Sequence, residues 1–145
     1  MTTKPIKRAI KLDCVKEIWF ENDRFDHTFS TSGYLYCVAD DIYILAFDDL
    51  EADAQITLKI SANQLSFVSI GNQKTNNVHI RQTHALDEWY AVQYFVAGKS
   101  MVMRTLTKQL SIDIEDDGGV IELAYELYSG ETCLGLYAMD IFFDL

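Results

Sequence analysis

Proline is almost absent from this chain. Its 145 residues include one, Pro5, so no later strand loses a ladder hydrogen bond to a missing backbone N–H. Cysteine is scarce too. Cys14, Cys37 and Cys133 are odd in number, far apart and without C-x-x-C spacing, which speaks against a disulfide framework and a paired-thiol metal or redox site. Cys14 falls in register with Ile10, Leu12 and Ile18, and Cys37 with Phe29 and Leu35, so the three thiols read as small buried hydrophobes. No apolar run approaches the roughly 18 residues of a spanning helix. Lys11 and Asp13 interrupt the stretch after the basic start where a signal sequence would have its apolar region. A cytoplasmic protein with no membrane partner is expected. Basic residues are also few. Twelve Lys and Arg against 22 Asp and Glu leave a formal charge of −10, and the basic cluster Lys4, Lys7, Arg8 and Lys11 lies near one terminus. Such a chain repels polyanions, so nucleic acid is not an expected partner.

What is abundant is alternation. Ile121, Leu123, Tyr125 and Leu127 interleave with Glu122, Ala124 and Glu126; Leu110, Ile112 and Ile114 interleave with Ser111, Asp113 and Glu115. Successive strand side chains point to opposite faces, so a period of two predicts half-buried antiparallel strands. The first covers residues 6–20 and would be about 50 Å long at ~3.3 Å per residue, so it should bend. Turn residues at 21–24 lead into a strand over 25–38. Strands follow at 42–47, 55–61, 65–70, 78–83, 89–96, 101–106, 109–115, 120–128 and 132–143, with an acidic loop at 48–53 and a polar loop at 71–77. About ten strands joined by short turns, in a length that fits one domain, predict a single all-β, up-and-down barrel of 8–10 strands.

No motif assigns catalysis. His79 and His84 lie five apart, an odd offset that sends them to opposite faces, and no third metal ligand stands nearby. Asp48, Asp49, Glu51 and Asp53 lack the turn Gly and distal Glu of a calcium loop and read as a solvated turn. Asp116-Asp117-Gly118-Gly119 reads as a hairpin whose residues supply positive φ. Glu122 and Glu126 share a face about 13 Å apart, too far for a glycosidase pair. Nucleophile-elbow, phosphate-loop and zinc-protease motifs are missing. The expectation is a non-enzymatic protein with no catalytic residue, no metal ligand and no cofactor.

The strands do carry large amphipathic side chains, namely Tyr34, Tyr36, Tyr43, Arg81, Trp89, Tyr94, Arg104, Tyr125 and Tyr137. Aromatic walls with a few polar groups suit a small, partly apolar molecule, since apolar area gives affinity and the polar groups give orientation. Arg81, Trp89, Tyr94 and Arg104, in the central strands, are the candidate ligand-binding residues, and Arg104→Ala is expected to weaken binding without unfolding the barrel. The alternative is a side-chain-filled barrel that serves as a protein-interaction or homodimerisation module. Ile141-Phe142-Phe143-Asp144-Leu145 motivates it, because three neighbouring bulky residues cannot all point inward.

The order of segments is also informative. Gly33-Tyr34-Leu35-Tyr36 with Ile42-Tyr43-Ile44-Leu45, the strand Thr57-Leu58-Lys59-Ile60, Thr105-Leu106-Thr107, and the ending Gly119-Val120-Ile121-Glu122-Leu123-Ala124-Tyr125-Glu126-Leu127 with Gly130 and Leu134-Gly135-Leu136-Tyr137 resemble the YwiB-like β-barrel family of bacteria. The resemblance spans residues 6–143 and implies a calycin-like barrel related to lipocalins. By analogy of fold, it also suggests small-ligand binding.

Overall fold

The computed structural model describes residues 6–50, 52–72, 78–96 and 98–145. Pro5 and Lys4 of the basic start, Glu51 of the acidic loop, residues 73–77 of the polar loop and Ala97 lie outside the described residues. Ten strands are present: β1 (Ile6–Phe20), β2 (Asp23–Ala39), β3 (Ile42–Asp49), β4 (Ala54–Ser61), β5 (Gln64–Gly71), β6 (Val78–His84), β7 (Trp89–Val96), β8 (Lys99–Glu115), β9 (Gly118–Ser129) and β10 (Thr132–Asp144). Each pairs antiparallel with its neighbours in sequence, and β1 pairs with β10 to close an up-and-down barrel.

Alternation builds the core directly. In β4, Ala54, Ile56, Leu58 and Ile60 are buried while Gln55, Thr57 and Lys59 face solvent. Burying one such Leu or Ile side chain contributes about 1.5–3 kcal/mol. Repeated around the barrel, the pattern gives two apolar clusters. A large one includes Leu12, Cys14, Leu45, Leu58, Ile121 and Ile141; a smaller one is formed by Val92, Met103 and Leu127.

Three sequence expectations are revised by the register. The segments 101–106 and 109–115 form one strand, β8, with a β-bulge between Thr107 and Gln109. The extra residue shifts the inward set from Met103, Thr105 and Thr107 to Leu110, Ile112 and Ile114, and that phase slip imitates a strand break. The acidic stretch is not wholly loop, since β3 runs through Asp49, whose side chain continues the inward series Tyr43, Leu45 and Phe47. Gly118 and Gly119 have no positive φ. They instead make room for β10, because a Cβ at Gly118 would strike the Phe143 carbonyl oxygen and one at Gly119 would meet the Phe143 ring. The thiols also divide: Cys14 is buried as expected, Cys37 is half-buried, and Cys133 is exposed beside the bulge between Cys133 and Gly135.

Gly33 marks the point where β2 meets β3. A Cβ there would collide with the Ala46 carbonyl oxygen and come within 2.9 Å of the Phe47 Cβ, so closure at this crossing requires glycine. Gly33→Ala is expected to cost about 2 kcal/mol, the range of core overpacking. Urea unfolding at unchanged m-value reads the loss; a variant as stable as the parent would show that β3 yields freely.

The β2–β3 ladder covers only Gly33 to Ala39. Residues Asp23–Ser32 therefore have β1 on one side and, among the described residues, no strand on the other. No helix among the described residues is long and apolar enough to cross a membrane.

Candidate functional site

Between the two apolar clusters the lumen holds a cavity of about 190 Å³. Phe67, Leu123 and Met139 face it from the side of the large cluster, Ile80 and Leu127 from that of the small one. Its polar wall consists of Lys16, Gln82, Tyr94, Tyr125 and Tyr137. Each reaches the lumen because it falls on the inward phase of its strand. Lys16, Ile18, Tyr94 and Tyr137 are half-buried along it.

The orientation of the polar groups follows from a buried hydrogen-bond chain. His84 is fully buried and lies 3.0 Å from both Thr107 Oγ1, through Nδ1, and Gln82 Oε1, through Nε2. Burial lowers its pKa to about 4, so the ring is neutral at pH 7 and has one donor and one acceptor nitrogen. An amide oxygen only accepts, so Nε2–H donates to Gln82 and Nδ1 accepts from the Thr107 hydroxyl. The Gln82 amide nitrogen is then left to donate to Tyr125, a bond that lowers a phenol pKa that burial raises more strongly. Tyr125 packs against His84 at 4.6 Å and stacks on Tyr137 at 5.3 Å with 4° between the ring planes. Burial likewise raises Tyr94 and Tyr137, so all three phenols keep their protons at neutral pH.

Beside this wall stands a charged group. Lys16 Nζ lies 3.2 Å from Asp49 Oδ2, His27 Nε2 lies 3.6 Å from Asp49 Oδ1, and the Ala52 N–H donates to Oδ1 at 3.2 Å. Lys16 is opposite His27 across the β1–β2 ladder, and the Asp49 side chain is only 1% exposed. Burial pulls the Asp49 pKa upward, but the Ala52 N–H, Lys16 and His27 together hold it below the ordinary value.

Of the four residues selected from sequence, the structure places Tyr94 on the cavity wall and the other three outside the barrel. Arg81 lies between inward Ile80 and Gln82, Trp89 is out of phase with inward Val92, and Arg104 lies between buried Met103 and Thr105. Membership of a central strand does not decide which face a side chain takes; parity does. Arg104 instead stacks 4.8 Å from the Trp89 ring and donates to the Gly130 carbonyl at 2.9 Å, while Trp89 meets Tyr128 edge-on at 5.0 Å. The expectation that Arg104→Ala weakens lumen binding is therefore withdrawn. Lys16 and Gln82 look in the sequence like polar interruptions of an inward series; the register Leu12, Cys14, Lys16, Ile18 is the signal that places Lys16 inside.

His79 and His84 occupy opposite faces of β6, as their offset predicts. Among the described residues no three His, Cys, Asp or Glu side chains are arranged to hold a metal ion. Burial raises the Cys14 pKa to about 11, which keeps this thiol protonated and unreactive.

Comparison with known proteins agrees with this architecture. The crystal structure of the ywiB protein from Bacillus subtilis superimposes with a TM-score of 0.80 over 95% of this chain and 92% of that one, at 18% identity. At that identity the likeness concerns the fold. No curated protein matches the chain. A family model described as a domain of unknown function, DUF1934, matches residues 14–141. With most of its length inside that match and its barrel shared with ywiB, the chain belongs to the DUF1934 family.

Proposed function

We propose that this barrel is a cytoplasmic binding protein, not an enzyme, and that it takes one small, partly apolar molecule into its lumen. The observation that carries the reading is the cavity between the two clusters, with apolar walls and a few oriented polar groups. Its volume of about 190 Å³ sets the ligand's size. A cavity of about 150 Å³ accepts benzene, whereas drug-sized sites start near 300 Å³, so a single-ring molecule fits best. Ligand binding inside lipocalin-like barrels supports the reading by analogy.

The non-enzymatic part rests on the wall's composition. Among the described residues Lys16 is its one charged residue, and no acid–base pair of carboxylates or histidines lines it. The cytoplasmic part rests on the distribution of polarity. Membrane barrels face apolar side chains outward, whereas β1 turns Lys7, Lys11, Asp13 and Glu17 outward and Ile10, Leu12 and Cys14 inward.

Native mass spectrometry of protein purified from cells tests the proposal. A reproducible small adduct lost on denaturation is expected, and it should persist in Arg104→Ala because that residue lies outside. A bare monomer in both proteins would contradict lumen binding. A bare dimer would favour the interaction-module reading, which one observation supports: the β2 stretch Asp23–Ser32, which meets β1 but no second strand among the described residues, carries exposed Phe25.

A further inference from the structure

We infer that the lumen selects a small aromatic acid, with the ring against the apolar wall and its carboxylate at Lys16. This rests on the lumen-binding reading and adds the ligand's chemical class. The chain carries a formal charge of −10, yet among the described residues no Asp or Glu lines the cavity and the one charged residue on its wall is a cation. Lys16 Nζ has three N–H bonds, of which Asp49 Oδ2 takes one at 3.2 Å. Asp49 also accepts from the Ala52 N–H and lies 3.6 Å from His27 Nε2, so the remaining Lys16 N–H bonds are not directed at it.

The remaining polar groups can also donate. His84 occupies the Gln82 oxygen, which turns the Gln82 amide nitrogen toward Tyr125. With its oxygen accepting from Gln82, the Tyr125 hydroxyl keeps its hydrogen as a donor. Tyr94 and Tyr137 bring two further phenols. Phenols able to donate, grouped around one ammonium, complement a ligand that only accepts, and a carboxylate does so with two oxygens. The aromatic part is set by Phe67 and the stacked pair Tyr125 and Tyr137, whose faces suit a flat ring.

Benzoate, benzyl alcohol and benzylammonium have nearly one shape and charges of −1, 0 and +1, and calorimetric titration at pH 7 ranks them. The overall negative charge of the protein favours the cation, so the opposite order identifies the local site. Benzoate is expected to bind the unaltered protein at least tenfold more tightly than benzyl alcohol, with benzylammonium weakest. Lys16→Met should abolish the preference for benzoate over benzyl alcohol, while Lys16→Arg, which retains the charge beside Asp49, keeps it. Equal binding of the three compounds, or a preference that survives Lys16→Met, would overturn the inference and leave lumen binding intact. Silence from all three would overturn lumen binding itself.

Discussion

Lowering the pH from 6.5 to 4 is expected to remove about 3 kcal/mol of folding stability through His84 alone. In the unfolded chain this imidazole takes up a proton near its ordinary pKa of 6.5, whereas burial delays protonation in the fold to about 4. Between these values the unfolded state binds more protons, so stability falls as the pH falls; at about 1.36 kcal/mol per unit the full shift gives that magnitude. A protonated ring would also have to donate from both nitrogens, although Gln82 Oε1 and the Thr107 hydroxyl are arranged for one donor and one acceptor. Urea unfolding at pH 7 and pH 4 should show the loss in the parent and lose this component in His84→Gln. Parallel pH profiles for the two proteins would contradict the assignment.

Asp49→Ala is expected to destabilise the barrel by about 3 kcal/mol at pH 7. The Asp49 side chain is 1% exposed and faces Lys16, whose own 25% exposure places the cost at the low end for breaking a buried pair. Its pH window is separate from that of His84. Because its folded pKa lies below 3.8, the Asp49 contribution is intact above 3.8 and disappears as the pH falls through that lower value. Thermal unfolding should move by roughly ten degrees at pH 7 and converge with the parent in strong acid. A shift within one degree would show that solvent already screens the pair.

Parity made most of the fold legible in the sequence. The bounds of the first strand, 6–20, and of the seventh, 89–96, match β1 and β7, and the bulky carboxy-terminal residues divide as alternation requires, with Ile141 and Phe143 inside and Phe142 outside. Parity failed where the chain slips phase. At the β8 bulge one extra residue reverses the inward set, and no local residue type announces it. The candidate site was less legible for a different reason. Arg81, Trp89 and Arg104 were chosen for their chemistry, and their strand neighbours put all three outside. Lys16 and Asp49 occupy inward positions where a charge breaks the apolar series, and they meet only because β1 and β3 flank β2. The sense of the Gln82 amide depends on His84 and Thr107, partners brought together by β6 and β8, which are not neighbours in the sheet.

The central claim is that the lumen takes a small molecule, and methyl-resolved NMR during titration with toluene tests it most directly. Saturable shifts are predicted for Ile80, Leu123, Leu127 and Met139 on the cavity wall, with Val102 and Leu86 on the outer surface unmoved. Unmoved wall methyls at saturating toluene, or shifts confined to the outer residues, would contradict it.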